Sequence, residues 1–476
     1  MPGMSPERNG GPARIITRAR LPFLGAFPVK NLPVLAVLAG LAAPAFADDW
    51  PQWLGPKRDG YWRETGIVDS FPKDGPPVLW RQPVGMGYAG PAVAGGKIFL
   101  PDRYLADGEN NPANAFAKTA VKGKERVQCL DEKTGKPLWK FDYDSEYRIS
   151  YAAGPRCTPT VDGDELYHLG AMGDFYCLKV SDGSVVWEKH FLKDYEATLP
   201  VWGFSSHPLV DGDQIICLVG GAGGKGVVSF DKKTGKEKWA ALTINNDPGY
   251  SPPVIFEING KRELIMWHTH AVVSLNPESG KKNWQYDWEI QSALTAPTPR
   301  LVNKTQLFFS SFYNGSLLLD VSSGSPKVIW KSKSKGGQAA VMPDNTVDLH
   351  SIMPTPVIAG DHIYGVCSYG ELRCLELQTG KRVWMTHEPI AGKSVRWGNA
   401  FITPHEDRYF LFNEQGELLI AKFTPQGYTE VSRAKILEPT NKMALGRPVV
   451  WSHPAYANKT MYVRNDKELV AVSLKK

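Results

Sequence analysis

The chain has 476 residues, with 55 Lys/Arg against 49 Asp/Glu and a formal net charge of +6. Residues 1–47 carry five Lys/Arg and one Glu, so the rest stands near +2, which excludes the dense basic footprint of a nucleic-acid-binding surface. An apolar content of 42%, with 46 Gly, 37 Pro and 15 Trp and little helical periodicity, excludes a disordered chain and a helical bundle alike.

The first segment reads as an export signal. Arg14, Arg18, Arg20 and Lys30 precede the apolar run Leu32 to Ala43, and Ala45-Phe46-Ala47 offers a small-residue cleavage site before Asp48. Cleavage there predicts residues 1–47 as signal peptide and an exported, periplasmic or extracellular protein. A retained signal anchor is the alternative, but the run is short for a bilayer span. No Cys follows the site, so no lipid anchor is expected, and no membrane span after cleavage. Residues 48–75 read as an N-terminal extension that packs on the body of the protein.

From residue 76 to residue 476 the chain repeats itself. Cys129-Leu130-Asp131-Glu132-Lys133-Thr134-Gly135-Lys136-Pro137-Leu138-Trp139 returns as Ser229 to Trp239, and in looser form at Val180 to Trp187, Asn276 to Trp284, Asp320 to Trp330 and Leu377 to Trp384. A short apolar run, an Asp/Gly turn and a second apolar run precede each copy. Short β-branched and aromatic runs split by Gly, Asp and Asn predict hairpins. Each unit then has four strands, and the Asp-x-x-Thr-Gly turn joins the third to the fourth. Asp and Thr bond the turn backbone, and Gly takes the positive φ. The Trp falls on the outermost strand, where it fills the gap between neighbouring units.

Unit starts near Pro91, Pro159, Pro208, Pro252, Pro297, Pro354, Phe401 and Trp451 make eight. The last unit lacks a fourth strand, and Pro77-Val78-Leu79-Trp80-Arg81 looks like a fourth strand without its first three. The prediction is an all-β, eight-bladed propeller of four-stranded antiparallel blades, closed by the N-terminal strand, which removes the bare sheet edges an open array would leave.

Within the repeats, Asp102 to Arg126 reads as a long polar insertion in the first blade. Gly220 to Gly226 resembles a phosphate loop but lacks its Lys-Ser/Thr, and reads as a hairpin loop. His268 and His270 fall on one face of a strand, without a third metal ligand nearby in sequence. Of the six cysteines, Cys129, Cys177 and Cys374 share one repeat position, the inward residue of the third strand, as small buried apolar groups do.

The repeated turn, the Trp placement and the opening Trp50-Pro51-Gln52-Trp53-Leu54-Gly55-Pro56-Lys57-Arg58-Asp59-Gly60 resemble the PQQ-like β-propeller repeat proteins of exported bacterial origin, over essentially the whole chain after residue 47. The resemblance implies two kinds of relative: quinoprotein dehydrogenases, which hold pyrroloquinoline quinone and Ca²⁺ over the ring axis, and cofactor-free propellers such as the BamB-type outer-membrane assembly factor. This chain has no adjacent cysteine pair, and no Glu, Asn and Asp set maps onto the Ca²⁺ site of the dehydrogenases. No cofactor is therefore expected, with PQQ and Ca²⁺ as the alternative.

Any site should lie over the axis, on the segments that lead into the first strand of each blade. Those segments carry Tyr88, Arg156, Trp202, His207, Tyr250, Arg396, Trp397 and His453. Converging aromatic and basic groups suit a protein partner or a small acidic or sugar-like ligand. No catalytic residues and no metal ligands are assigned. The expected role is a binding or assembly module, with a divergent quinone-dependent dehydrogenase and a carbohydrate- or cell-surface-polymer-binding propeller as alternatives.

Overall fold

Alternating apolar runs split by Asp/Gly turns build eight four-stranded antiparallel sheets in a computed structural model that describes residues 48–333 and 345–476. The expected export signal lies outside the described residues. The innermost strands are Ala92–Ala94, Thr160–Asp162, Leu209–Asp211, Val254–Ile258, Arg300–Val302, Val357–Ala359, Ala400–His405 and Ala455–Ala457. Each starts where the repeat count placed a blade, and we number blades 1 to 8 in this order. The outer strand of blade 8 is Val78–Pro83, which pairs antiparallel with Glu468–Ser473, with Trp80 opposite Ala471. The ring is the predicted eight-bladed propeller, closed by the N-terminal strand. Strand direction puts the blade-to-blade connections and the hairpins between second and third strands on one face, here the upper. The Asp-x-x-Thr-Gly turns lie on the lower face.

The repeated Trp docks on the turn of the next blade. In blade 1, Trp139 donates its indole N–H to Val180 O of blade 2, at 3.0 Å. Trp80, Trp187, Trp239, Trp330 and Trp384 reach Glu132, Lys232, Pro277, Leu377 and Thr424 in the same way. The turn glycine is where the ring lands. Gly183 has φ +74°, and a Cβ there would sit 2.5 Å from the Trp139 ring. Two seams depart from this rule. Trp284 of blade 4 turns its N–H back to Glu263 of its own blade, at 2.8 Å. Blade 7 has no Trp on its outer strand, Gly427–Lys435.

A feature the sequence reading did not foresee is that each outer strand joins its sheet with a register shift, in all eight blades. A bulge twists the exposed edge away from further pairing, so the eight outer edges are blunted as templates for aggregation. In blades 1, 2 and 6 the bulge follows Cys129, Cys177 and Cys374, each on a third strand facing the Trp of the fourth. All six cysteines are free and buried.

Residues 48–75 run through the ring. From Trp50 to Trp62 the segment touches every blade. Trp50 pairs with Val93, Pro51 O accepts from Val161 N, and Trp53 Nε1 donates to Thr298 Oγ1. Arg58 donates to His207 O, Pro208 O and Pro253 O. Tyr61 reaches Ile358 O, Trp62 N reaches Pro404 O, and the Trp62 ring meets Tyr456 at 5.0 Å. Beyond it, Val68 N bonds Leu474 O and Phe71 N bonds Ser432 Oγ, so residues 67–71 fill the seam between blades 7 and 8, where no Trp is available.

Two local expectations need correcting. Residues 102–126 are not one loop. The strands Lys97–Leu105 and Gly123–Asp131 pair throughout, and only residues 106–122 form the connection. The polar residues were misleading because they satisfy each other. Asp102, fully buried, accepts from Arg126 Nε at 2.9 Å, Arg126 Nη2 at 2.7 Å, Gln128 at 2.7 Å and Gly85 N at 2.6 Å. His268 and His270 do not share a strand face either. His268 ends the strand Lys261–His268, and His270 lies in the turn that follows.

Candidate functional site

Blade connections converge over the axis because each first strand must start there. Serine hydroxyls tie neighbours together: Ser206 to Ser251 O, Ser251 to Pro297 O, and Ser452 to Ala89 O. This belt holds the upper mouth in fixed geometry, and the eight candidate residues sort into two levels around it.

The lower level is a floor. Trp53, 9% exposed, stacks on His207 at 4.1 Å and meets His453 at a tilt at 4.7 Å. Both histidines are buried and held off the open mouth, which differs from the funnel-lining role expected for them. Burial pushes His207 far below the ordinary imidazole range and His453 down to about 4. Burial likewise pushes Arg58 of the N-terminal segment and Arg300 of blade 5 down to about 10. Among the described residues neither guanidinium has an ion-pair partner; both bond backbone carbonyls instead.

The upper level holds the other six, of which Tyr250 is as buried as the two histidines. Arg156 lies over the Tyr88 ring at 5.1 Å and donates to Gly154 O, to Ser150 O at 3.0 Å and to Tyr151 O at 2.6 Å. Trp202 meets Tyr250 edge-on at 5.7 Å. The Tyr250 hydroxyl donates to Asp247 at 2.7 Å, and burial pushes that phenol well up, helped by the carboxylate. Arg156 partly offsets that rise. Arg396 lies over the Trp397 ring at 4.5 Å. Among the described residues neither Arg156 nor Arg396 forms an ion pair.

Several residues of the mouth escaped the sequence reading. Tyr151 and Trp451 meet at 5.8 Å, and Phe116 from the blade 1 connection reaches over to Trp397 at 5.9 Å. Glu414 is buried against Arg447 and the Trp451 indole N–H. Asn399 is fully buried with neither side-chain atom bonded. A lone Phe inside an otherwise polar connection was the one signal available for this group.

A separate cleft of about 720 Å³ opens on the upper face between blades 3 and 4, lined by Leu242, Asn246, His268, His270, Lys282 and Glu289. His270 is committed to Glu289 at 2.8 Å and to Asn245 O at 2.8 Å. Burial pushes His268 down to about 4. Among the described residues no three of His, Cys, Asp and Glu come together as a metal cage.

The depressed histidines fix a pH dependence. The unfolded chain binds protons at His268 and His453 near pH 6.5, whereas the folded chain binds them only near pH 4. Their contribution is therefore complete above about pH 6.5 and is lost as pH falls toward 4, at up to about 1.4 kcal/mol per residue per pH unit. Chemical unfolding of wild type and His453→Phe across this range checks it: the variant should show the shallower loss of stability, and parallel curves would refute the assignment.

Comparison with known proteins rests on this geometry. The family model described as outer membrane protein assembly factor BamB matches residues 123–386. The chain belongs to this family of PQQ-like β-propellers. Among curated relatives, BamB of Shewanella oneidensis is 24% identical over 324 residues, covering 65% of this chain and 60% of that protein. The quinohemoprotein alcohol dehydrogenase ADH-IIG of Pseudomonas putida is 25% identical over 251 residues, covering 48% of this chain and 33% of that protein. The chain thus spans less than two thirds of either relative. Among solved structures, BamB from Moraxella catarrhalis superposes with a TM-score of 0.51 at 13% identity, over 83% of this chain and 97% of that one. The quinohemoprotein alcohol dehydrogenase from Comamonas testosteroni gives 0.57 at 13% identity, over 90% and 81%. At these identities the structures share the fold.

Proposed function

We propose that this protein is an exported binding or assembly module that captures an acidic segment of a partner protein at the upper mouth of the ring. The observation that carries this reading is the pair of guanidiniums, Arg156 and Arg396, laid on aromatic rings at the mouth and, among the described residues, in no ion pair with a carboxylate. A guanidinium fixed on a ring is pre-oriented for a carboxylate, and such charge-assisted hydrogen bonds are about twice as strong as neutral ones. The family membership and the name of the Shewanella relative, an assembly factor, support the same class of role.

The quinone and Ca²⁺ that the dehydrogenase relatives suggest do not fit these residues. A Ca²⁺ cage needs several hard oxygen donors with free lone pairs. The carboxylates about the mouth are already engaged, Asp247 by Tyr250 and two backbone N–H groups, Glu414 by Arg447 and Trp451, and Asp466 by Gly87 N and the charge of Arg464. We assign no redox step and no catalytic residue.

An array of acidic peptides, neutral peptides and soluble glycans separates the readings. Wild-type protein should retain acidic peptides and release them as salt rises. Arg396→Ala should bind them about tenfold more weakly, the loss of one charge-assisted hydrogen bond. Arg156→Ala should weaken them too, although that side chain also fastens the loop at Tyr151. Retention of glycans alone, or acidic binding that both variants leave unchanged, would overturn the proposal.

A further inference from the structure

Phe116, within the blade 1 connection, lies edge-on to Tyr151 at 5.4 Å and to Trp397 at 5.9 Å. Tyr151 meets Trp451 behind it, so blades 2, 7 and 8 each lend a ring to one aromatic cage. Arg396 lies over the Trp397 ring, and burial pushes the Tyr151 phenol up, an effect that Arg396 partly offsets. The cage is built at a cost. Tyr151 and Trp397 both hold left-handed backbone, φ +55° and +59°, where a bulky side chain is strained. Such strain gathers at ligand clamps and is kept only where the surroundings enforce it.

Phe116 does not behave as a core residue. It remains 42% exposed inside the cage, whereas the core phenylalanines are almost fully enclosed. Its connection is fastened there mainly by Ala115 O accepting from Tyr151 N at 2.6 Å and Phe116 O accepting from Ser150 Oγ at 3.1 Å. A ring held so lightly against two others is an occupant that an equivalent ring can replace.

We propose that this cage is a recognition site for an aromatic side chain of the partner segment, with a carboxylate beside it taken by Arg396, and that Phe116 is an internal stand-in which the partner displaces. This rests on the acidic-segment reading above and adds to it the aromatic anchor and a built-in competitor. An occupied site lowers apparent affinity by the fraction of time the stand-in vacates it.

The test uses N-acetylphenylalanine, which carries one ring and one carboxylate, followed by tryptophan fluorescence or calorimetry on the full chain. Phe116→Ala should bind it about tenfold more tightly than wild type, since the competitor is gone. N-acetylalanine and the amide of N-acetylphenylalanine should bind neither protein measurably. Adding Trp397→Asn to Phe116→Ala should abolish the gain, because Asn accepts left-handed backbone and removes only the ring. Equal or weaker binding by Phe116→Ala would overturn the stand-in. If acidic peptides without an aromatic residue still bind through Arg396, the acidic-segment reading survives that failure. If they do not bind either, both readings fall.

Discussion

A chain that starts at residue 84 is expected to lose more than about 5 kcal/mol and to associate at micromolar concentration, because one truncation removes two fasteners. The strand Val78–Pro83 goes, so Glu468–Ser473 is left with a bare edge, and Trp80 no longer reaches Glu132 O across the seam to blade 1. The segment through the axis goes as well, and buried Trp50, Trp53 and Trp62 go with it. Deleting a buried Trp side chain alone costs about 3–5 kcal/mol. Guanidinium unfolding and size-exclusion chromatography measure both effects. Adding a peptide of residues 48–83 in trans should restore the monomer. A truncated chain that melted at the wild-type temperature would sink the closure argument.

Gly183→Ala should cost about 2–5 kcal/mol, the sum of strain and overlap. Left-handed backbone costs a residue with Cβ about 1–2 kcal/mol, and forcing atoms into a packed contact costs about 1–3 kcal/mol more. Gly183 meets both conditions, with φ +74° and the Trp139 ring 2.5 Å from a new Cβ. Gly163, in the same blade, is the control: its φ is +61°, but nothing lies within 4 Å of a Cβ. Gly163→Ala should therefore cost only the backbone strain, about 1–2 kcal/mol. If both variants unfolded at the same denaturant concentration, the Trp139 ring would not be resting on Gly183.

The repeat made the ring legible. A turn with Asp, Thr and Gly at fixed offsets, followed by Trp, has local physics that shows in one chain, and eight units, six of them carrying a copy of it, with a strand missing at one end and spare at the other leave closure as the economical solution. What escaped notice was set by partners distant in sequence. Asp102 looked like loop because its partners, Arg126, Gln128 and Gly85, are far along the chain or across a hairpin. His207 and His453 looked like mouth residues because their position in the repeat leads to the axis. Only the arrival of Trp53, more than 150 residues before either in effect, decides that they are floor. Tyr151 and Trp397 carry no sign in their own sequence of the left-handed backbone that aims them at Phe116.

The seam between blades 4 and 5 gives the ring an unequal circumference. At six other seams an indole N–H grips a carbonyl of the following blade, a bond that tolerates little sliding. At this one the grip is absent. Trp284 points home to Glu263, a Cβ at Gly324 would meet nothing within 4 Å, and one side-chain amide, Asn259 Nδ2, reaches Ser322 O of the blade 5 turn at 2.8 Å beside apolar side chains such as Leu307, Leu319 and Val321. Apolar contact has no preferred direction, so neighbouring surfaces can shear by a fraction of an ångström while staying buried. In a hoop riveted by an indole at six of its eight joints, such a place acts as an expansion joint. Changes in the bore of the ring, whatever force produces them, are taken up there and spare the rivets.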